Sequence, residues 1–287
     1  MVLSQWIGVC LALYILAWGY SQPSASLHTS AKEKTYHMHA SSRSTPLADK
    51  LTFLKQVPLC AHLTDQELIA FSRDLRLREY AKGQIVFEQG DLGHTLYIIL
   101  HGKVRVFRLT SSGLETTLTI LGKGDLVGEF AVIDQQARSA SARAIGKCAL
   151  LQMSAETFFG HVREQPNLAL GLMHVLVTKT RWTAAYAETI ARYDAAGRLL
   201  HILLLFNEKF GEEQQPGQRY LLDLGLNQTD LASLVGVRRE WVNRILQYWS
   251  KKKLIEYEGG KLVILDLARV RQERDSRLEA NLDQIDW

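Results

Sequence analysis

A carboxylate, Glu129, and a guanidinium, Arg138, stand nine residues apart in GEFAVIDQQARSASA, a short stretch rich in small residues between apolar runs. Arginine offers a planar fork of donors that suits a phosphate, whereas an ionised carboxylate only accepts and so takes ligand hydroxyls. A ribose phosphate carries both groups. Backbone N–H groups from Phe130 to Ile133, and at Ser139 and Ala140, would add partial positive charge if they sit in a tight turn or a first helical turn. The stretch therefore predicts a pocket built from Gly128, Glu129, Phe130, Ala131, Arg138 and Ser139. Two charges alone fit an idle surface pair equally well, worth about 0–1 kcal/mol.

A second concentration of charge lies further on. Residues 236–254 hold Arg238, Arg239, Arg244, Lys251, Lys252 and Lys253 against the single acid Glu240, a local net charge of +5 in a chain whose total is +4. Such a cluster is the footprint of a polyanion-binding face, or else a solvated helix end.

The elements that must hold these residues follow from periodicity. Residues 47–77 are helical and amphipathic, and Thr64 with Glu67 forms a capping box that starts a helix at Asp65. From 77 to 153 the pattern changes to short β-rich runs (84–87, 95–100, 103–109, 115–121, 139–145 and 149–154) punctuated by glycines, which predicts a small sandwich or barrel. The Glu129/Arg138 stretch falls between two of these strands. A long helix follows over 167–193, where Leu172, Leu176, Lys179, Thr183, Tyr186, Ile190 and Tyr193 alternate four and three apart. That spacing predicts a coiled-coil seam and a homodimer, with Lys179 and Thr183 as polar interruptions; the alternative is a helix packed on its own barrel.

Asp194 opens another helix, ending near Gly211, and a charged loop spans 211–219. Asn227 then caps TDLASLV, Gly236 and Val237 make a tight turn, and RREWVNRILQYW forms a second helix. Val242, Ile245, Leu246 and Trp249 of that helix point inward, leaving Arg239, Glu240, Asn243 and Arg244 outside. EYEGGKLVILD completes a β wing turning at Gly259 and Gly260.

The 287 residues, 47% hydrophobic and 22% charged, suit a folded soluble protein of two domains. Three scattered cysteines, Cys10, Cys60 and Cys148, form neither a disulfide framework nor a metal-ligand cluster, and the His37/His39 pair has no neighbouring ligand, so no metal is expected. No nucleophile, base and orienting group are grouped, so no enzyme is expected. The apolar run at 6–20 lacks a preceding basic residue and is short for a membrane span. Of a signal peptide, a membrane anchor or a chain whose translation starts at Met38, the last is the favoured reading; the expectation is a cytoplasmic protein away from the membrane, with a tethered sensor as the rival.

Across roughly residues 50–270 the chain resembles the catabolite activator or cyclic AMP receptor family, within the Crp/Fnr superfamily. FEQGD, IILHGKV and GKGDLVGE match glycines of the family's β-roll, GEFAVIDQQARSA its nucleotide cassette, RYDAAGR its hinge, and LNQTDLASLVGVRREWVNRIL its helix-turn-helix. The resemblance implies an α+β fold: a jelly-roll-like cyclic-nucleotide-binding β-roll at 47–166, a long dimerisation helix at 167–193 and a winged helix-turn-helix at 194–275. A 1–46 extension and a 276–287 tail flank them. It further implies that Glu129 takes the ribose 2′-hydroxyl, Arg138 and Ser139 the cyclic phosphate, and Thr183 the adenine of cyclic AMP. Ala184 departs from the serine that in well-known members reaches the partner subunit's nucleotide, which leaves open another effector, redox or haem-bound gas, or none. Arg239, Glu240 and Arg244 would read bases of double-stranded DNA, as arginine forks onto guanine and glutamate accepts from cytosine. Asn227, Thr229 and Arg238 would hold phosphates, Asn243 shares the outer face, and Trp241 departs from a smaller residue. RNA polymerase is the further partner implied.

Overall fold

In the computed structural model of the chain, residues 47–278 except residue 112 are described; the run at 6–20, Met38, Cys10, the His37/His39 pair and the tail beyond 278 lie outside them. Helices α1 (Leu47–Leu54) and α2 (Asp65–Asp74) flank a 3-10 turn at Pro58–Cys60. The predicted capping box is present: Thr64 Oγ1 accepts from Glu67 N at 3.3 Å and Glu67 Oε2 from Thr64 N at 2.8 Å. Helix ends earlier than expected, because Arg76–Tyr80 leaves for a sheet as β1.

The strands that follow are β2 (Ile85–Phe87), β3 (Thr95–His101), β4 (Val104–Leu109), β5 (Glu115–Leu121), β6 (Leu126–Val127), β7 (Ser141–Ala144) and β8 (Cys148–Ser154). They form two four-stranded antiparallel sheets, β1-β8-β3-β6 and β2-β7-β4-β5. The period-two alternation of β3 explains the layering. Tyr97 and Ile99 face the sheet-on-sheet core with Val104, Val127 and Leu150. Leu96 and Ile98 face the other way, onto Phe53, Phe71, Phe158 and Leu168 from the helices that cover this sheet. Between β6 and β7, the short helix α3 (Glu129–Asp134) carries the first half of the predicted pocket.

After α4 (Ala155–Glu164), the long helix α5 runs Pro166–Arg192. Its free face is not the predicted seam. Of that line only Thr183 and Ile190 are exposed. Leu172 packs into the helix-covered core of the roll, Tyr186 donates to the Leu234 carbonyl at 2.6 Å, and Tyr193 is the buried C-cap stacked on His201. The exposed line is Leu170, Met173, Val177, Thr180, Ala184 and Ala191, which with half-buried Ala187 alternates three and four apart throughout. Two apolar lines lie side by side on this helix, and tertiary contacts take up Leu172, Tyr186 and Tyr193 of the predicted one.

Helix α6 (Ala195–Phe210) is capped by Asp194, whose Oδ1 accepts from Gly197 N at 2.7 Å. The predicted loop at 211–219 is instead a hairpin, β9 (Glu212–Gln215) with β10 (Arg219–Asp223). β9 is exposed at every residue, so it leaves no hydrophobic alternation to read. The helix-turn-helix is α7 (Gln228–Val235) and α8 (Arg239–Lys251), and the wing is β11 (Ile255–Glu258) with β12 (Lys261–Ile264), joined in the order β11-β12-β10-β9. A last helix, α9 (Leu267–Asp275), was not expected; Asp266 caps it by accepting from Arg269 N at 3.0 Å. Leu199, Leu203 and Phe206 of α6 pack against Leu231, Leu234, Val242, Leu246 and Trp249. Among the described residues no helix is long and apolar enough to cross a membrane.

Candidate nucleotide pocket and nucleic-acid interface

Glu129 and Arg138 are not an idle surface pair: they are 2% and 5% exposed. Gly128 precedes α3 with φ +83°, a left-handed conformation open to glycine, and a Cβ there would lie 2.6 Å from Arg138 Nη1. Gly93 completes the cradle, since its Cβ would meet Ala131 Cβ at 2.3 Å and Arg138 Nε at 3.0 Å. Arg138 Nη1 and Nη2 donate to the carbonyls of Gly128 and Thr95, each at 2.5 Å, and the guanidinium lies 4.2 Å from the Phe87 ring centroid. Its Nε is buried without a hydrogen-bond partner. Burial pulls this guanidinium below the usual arginine range, opposed by Tyr97, Glu129 and Asp91. Phe130 and Ser139 are exposed beside the cradle, and Ala131 is buried in it.

Glu129 is held from the long helix. Lys179 Nζ lies 2.5 Å from Glu129 Oε1, donates to the Leu126 carbonyl at 2.7 Å, and sits 5.6 Å from the Phe130 ring centroid. Lys179 is thus the pocket residue that sequence reasoning missed, and its signal was the interruption it made in an apolar line. Thr183 lies one turn further on, exposed, with its hydroxyl donating back to the Lys179 carbonyl at 3.0 Å. The structure brings Lys179 to Glu129; for Thr183 it shows only this bond within the helix.

On the second face, Asn227 caps α7, its Oδ1 accepting from Thr229 N at 2.8 Å and Asp230 N at 2.9 Å. Arg238 is the N-cap of α8. Arg239, Glu240, Asn243 and Arg244 are all exposed on one side of α8 and line a shallow cleft of about 490 Å³ with Gln228, whose Nε2 donates to Asn243 Oδ1 at 3.3 Å. Gln228 is a further addition to the predicted set. Trp241 is half-buried against the core, so its bulk is spent on packing.

The roll and the helix-turn-helix meet through Arg105, 3% exposed on β4. It donates to Thr117 Oγ1 at 2.7 Å and Ser233 Oγ at 3.0 Å, pairs with Asp230 at 3.2 Å, and also pairs with Glu115. Beside this junction a cavity of about 730 Å³ has Lys82, Arg105 and Arg143 on one wall and Asn227, Thr229 and Arg239 on the other. Asn227, Thr229 and Arg239, among the predicted DNA contacts, thus also line a cavity beside the roll.

A buried carboxylate and arginine in a glycine cradle thus share one chain with a long helix and a winged helix-turn-helix. Family comparison agrees. Residues 77–165 match the cyclic nucleotide-binding domain and residues 197–273 the Crp-like helix-turn-helix domain. The chain is 30% identical over 203 residues to the CRP-like cAMP-activated global transcriptional regulator of Mycobacterium tuberculosis, covering 71% of this chain and 90% of that one. It is also 30% identical over 220 residues to the cyclic AMP receptor protein of Thermus thermophilus, covering 76% and 97%. Among solved structures it is similar to FixK2 from Bradyrhizobium japonicum, with a TM-score of 0.61 at 17% identity over 69% of this chain and 96% of that one. The chain belongs to the Crp/Fnr family of transcription regulators.

Proposed function

We propose that this protein is a homodimeric, sequence-specific DNA-binding regulator whose DNA affinity is set by a cyclic nucleotide, cyclic AMP in the first instance, bound at Glu129 and Arg138. The observation that carries this reading is the unpartnered Nε of Arg138, buried beside a buried carboxylate in a cradle that a Cβ at Gly93 or Gly128 would fill. The cyclic phosphate takes Arg138 and the first amides of the 138–140 turn, and the ribose hydroxyl competes with Lys179 for Glu129. Occupancy is thereby felt on α5, through Lys179 and at Thr183. The names of the relatives in Mycobacterium tuberculosis and Thermus thermophilus support cyclic AMP over other effectors.

The exposed line from Leu170 to Ala191 supplies the dimer seam; its small residues at Thr180, Ala184, Ala187 and Ala191 allow close approach of two helices. Arg239, Glu240 and Arg244 then read base edges, while Asn227, Thr229 and Arg238 hold phosphates. A ligand shifts this equilibrium only if it binds the DNA-competent arrangement more tightly. Redox control is disfavoured by the two described cysteines: burial pushes the Cys60 thiol up to about 12, and it also raises Cys148, whose Sγ donates to the Lys103 carbonyl.

Calorimetry with cyclic AMP and cyclic GMP on the wild type and Arg138→Leu tests the effector. Saturable binding of one nucleotide, lost in the variant, is expected; a wild type that binds neither ends the nucleotide reading. Sedimentation of Val177→Glu tests the seam, with a shift from dimer to monomer expected.

A further inference from the structure

The helix that sequence reading did not anticipate, α9, joins the two places between which a signal must pass. At one end of its charge network is Asp194, the cap of α6, which directly follows Tyr193, the C-cap of the long helix. At the other is the C-terminal turn of the recognition helix α8. Arg277 touches both. Its Nη1 lies 3.4 Å from Asp194 Oδ2, its Nη2 lies 2.8 Å from Glu273 Oε1, and its guanidinium sits 5.9 Å from the Tyr248 ring centroid.

Glu273 passes the contact on. Its Oε2 lies 3.0 Å from the ammonium of Lys252, the C-cap of α8, and that ammonium also lies 4.6 Å from the Tyr248 ring centroid. Arg269 of α9 donates to the Lys252 carbonyl at 3.1 Å, which fixes the same turn through its backbone. The Glu273 side chain is only 11% exposed, and Arg277 is 21% exposed, so this network is better shielded from water than an open surface pair.

The backbone closes the other end. Asp194 N donates to the Arg277 carbonyl at 3.2 Å, and Tyr193 forms an antiparallel bridge with Leu278. Gly197 shows how close the approach is: a Cβ there would lie 3.0 Å from Arg277 Cβ and 3.0 Å from Tyr193 Cβ. A side chain at 197 would push the strut off the hinge.

We propose that Arg277 is a positioning residue, through which α9 fixes the recognition helix to the hinge between α5 and α6, so that a movement of the long helix re-aims α8. Arg277 contacts neither nucleotide nor DNA in this role; it transmits. The inference rests on the nucleotide-controlled reading above, but its structural part stands apart from it. A strut of this kind makes the wing domain turn with the hinge instead of swinging loosely about it.

The test uses the full chain, with Arg277→Ala, Arg277→Lys and Asp194→Asn. Asparagine is as good an N-cap as aspartate, so Asp194→Asn removes the charge while retaining the helix start. DNA affinity is measured by fluorescence anisotropy, with and without saturating cyclic AMP, on a duplex that the wild type selects from random DNA. The expected result is that Arg277→Ala and Asp194→Asn each cut the nucleotide-dependent gain in DNA affinity about tenfold, within the usual range of allosteric coupling. Nucleotide affinity should stay within about twofold, the double variant should be no worse than either single one, as groups acting through one contact behave, and Arg277→Lys should recover part of the gain. A full gain in both single variants, or additive losses in the double, overturns the proposal. A wild type without any nucleotide-dependent gain sinks the effector reading instead. In that case amide exchange decides the strut: in Arg277→Ala it should quicken together at 193–194 and 252–254, and quickening at one end only overturns it.

Discussion

The proposed nucleotide pocket and helix α8 use the same residue types in opposite physical settings. Glu129 and Arg138 are buried and already held, by Lys179 and by the carbonyls of Gly128 and Thr95, whereas Glu240, Arg239 and Arg244 are exposed. A charge in the first setting serves stability and binding together, because removing its partner strands a desolvated charge. A charge in the second is nearly free to change as far as folding is concerned, and matters when the polyanion arrives. The contrast is that one set is tied down in advance while the other stays exposed.

The contrast is broken most sharply at Glu129. Glu129→Ala should cost about 3 kcal/mol in chemical denaturation, because it leaves the Lys179 ammonium without its buried partner, and should abolish calorimetric nucleotide binding. Unchanged stability would mean that the ion pair is dispensable. Gly128→Ala should follow at about 1–3 kcal/mol, since alanine is strained at this φ and its Cβ would press on Arg138; nucleotide affinity should fall with it.

At the exposed face, Arg239→Ala should leave stability within about 0.5 kcal/mol. It should relax discrimination at one base pair of each half-site by about 1–3 kcal/mol, read from selection on randomised duplexes. A melting temperature that falls as far as in Glu129→Ala would erase the distinction. The smallest effect belongs to Arg238→Ser, which should lower the slope of log affinity against log salt by about 1 without changing sequence preference.

Between the two regions, Glu115 gives a pH-dependent reading of the junction. Burial pushes its carboxyl up, yet hydrogen bonds from Arg143 and Arg105 outweigh this and hold it below the ordinary carboxylate range. Its folded value is therefore the lower one. The stability it contributes is complete above the unfolded value of about 4.3 and is lost as pH falls through the folded value. Acid unfolding of Glu115→Gln should accordingly be less steep below that point than in the wild type.

Much of this was legible in the residues. The capping box at Thr64, the N-cap at Asn227, the two short helices and the wing all depend on local chemistry, and each lies where its residues put it. The polar hairpin β9–β10 was not legible, because exposed strands carry no alternation. Helix α9 was missed since most of its residues are charged or polar and only Leu267 and Val270 are buried. The exposed side of α8 was legible from its period, whereas Gln228, which lines the same cleft, comes from the neighbouring helix. The pocket lacked Lys179, because a lysine in an apolar line signals an exception without saying what it meets.

Apart from β1, the β9–β10 hairpin and α9, the sequence by itself determined the main kinds of element, their order and the charges each carries, since these follow from periods of 2 and 3.6 and from the geometry of caps and turns. Tertiary structure alone decided which residues of α5 pack on the rest of the chain, that Lys179 meets Glu129 fifty residues away, and that Arg277 reaches Asp194. These outcomes depend on which surfaces find a partner across the fold, and no local pattern contains that information.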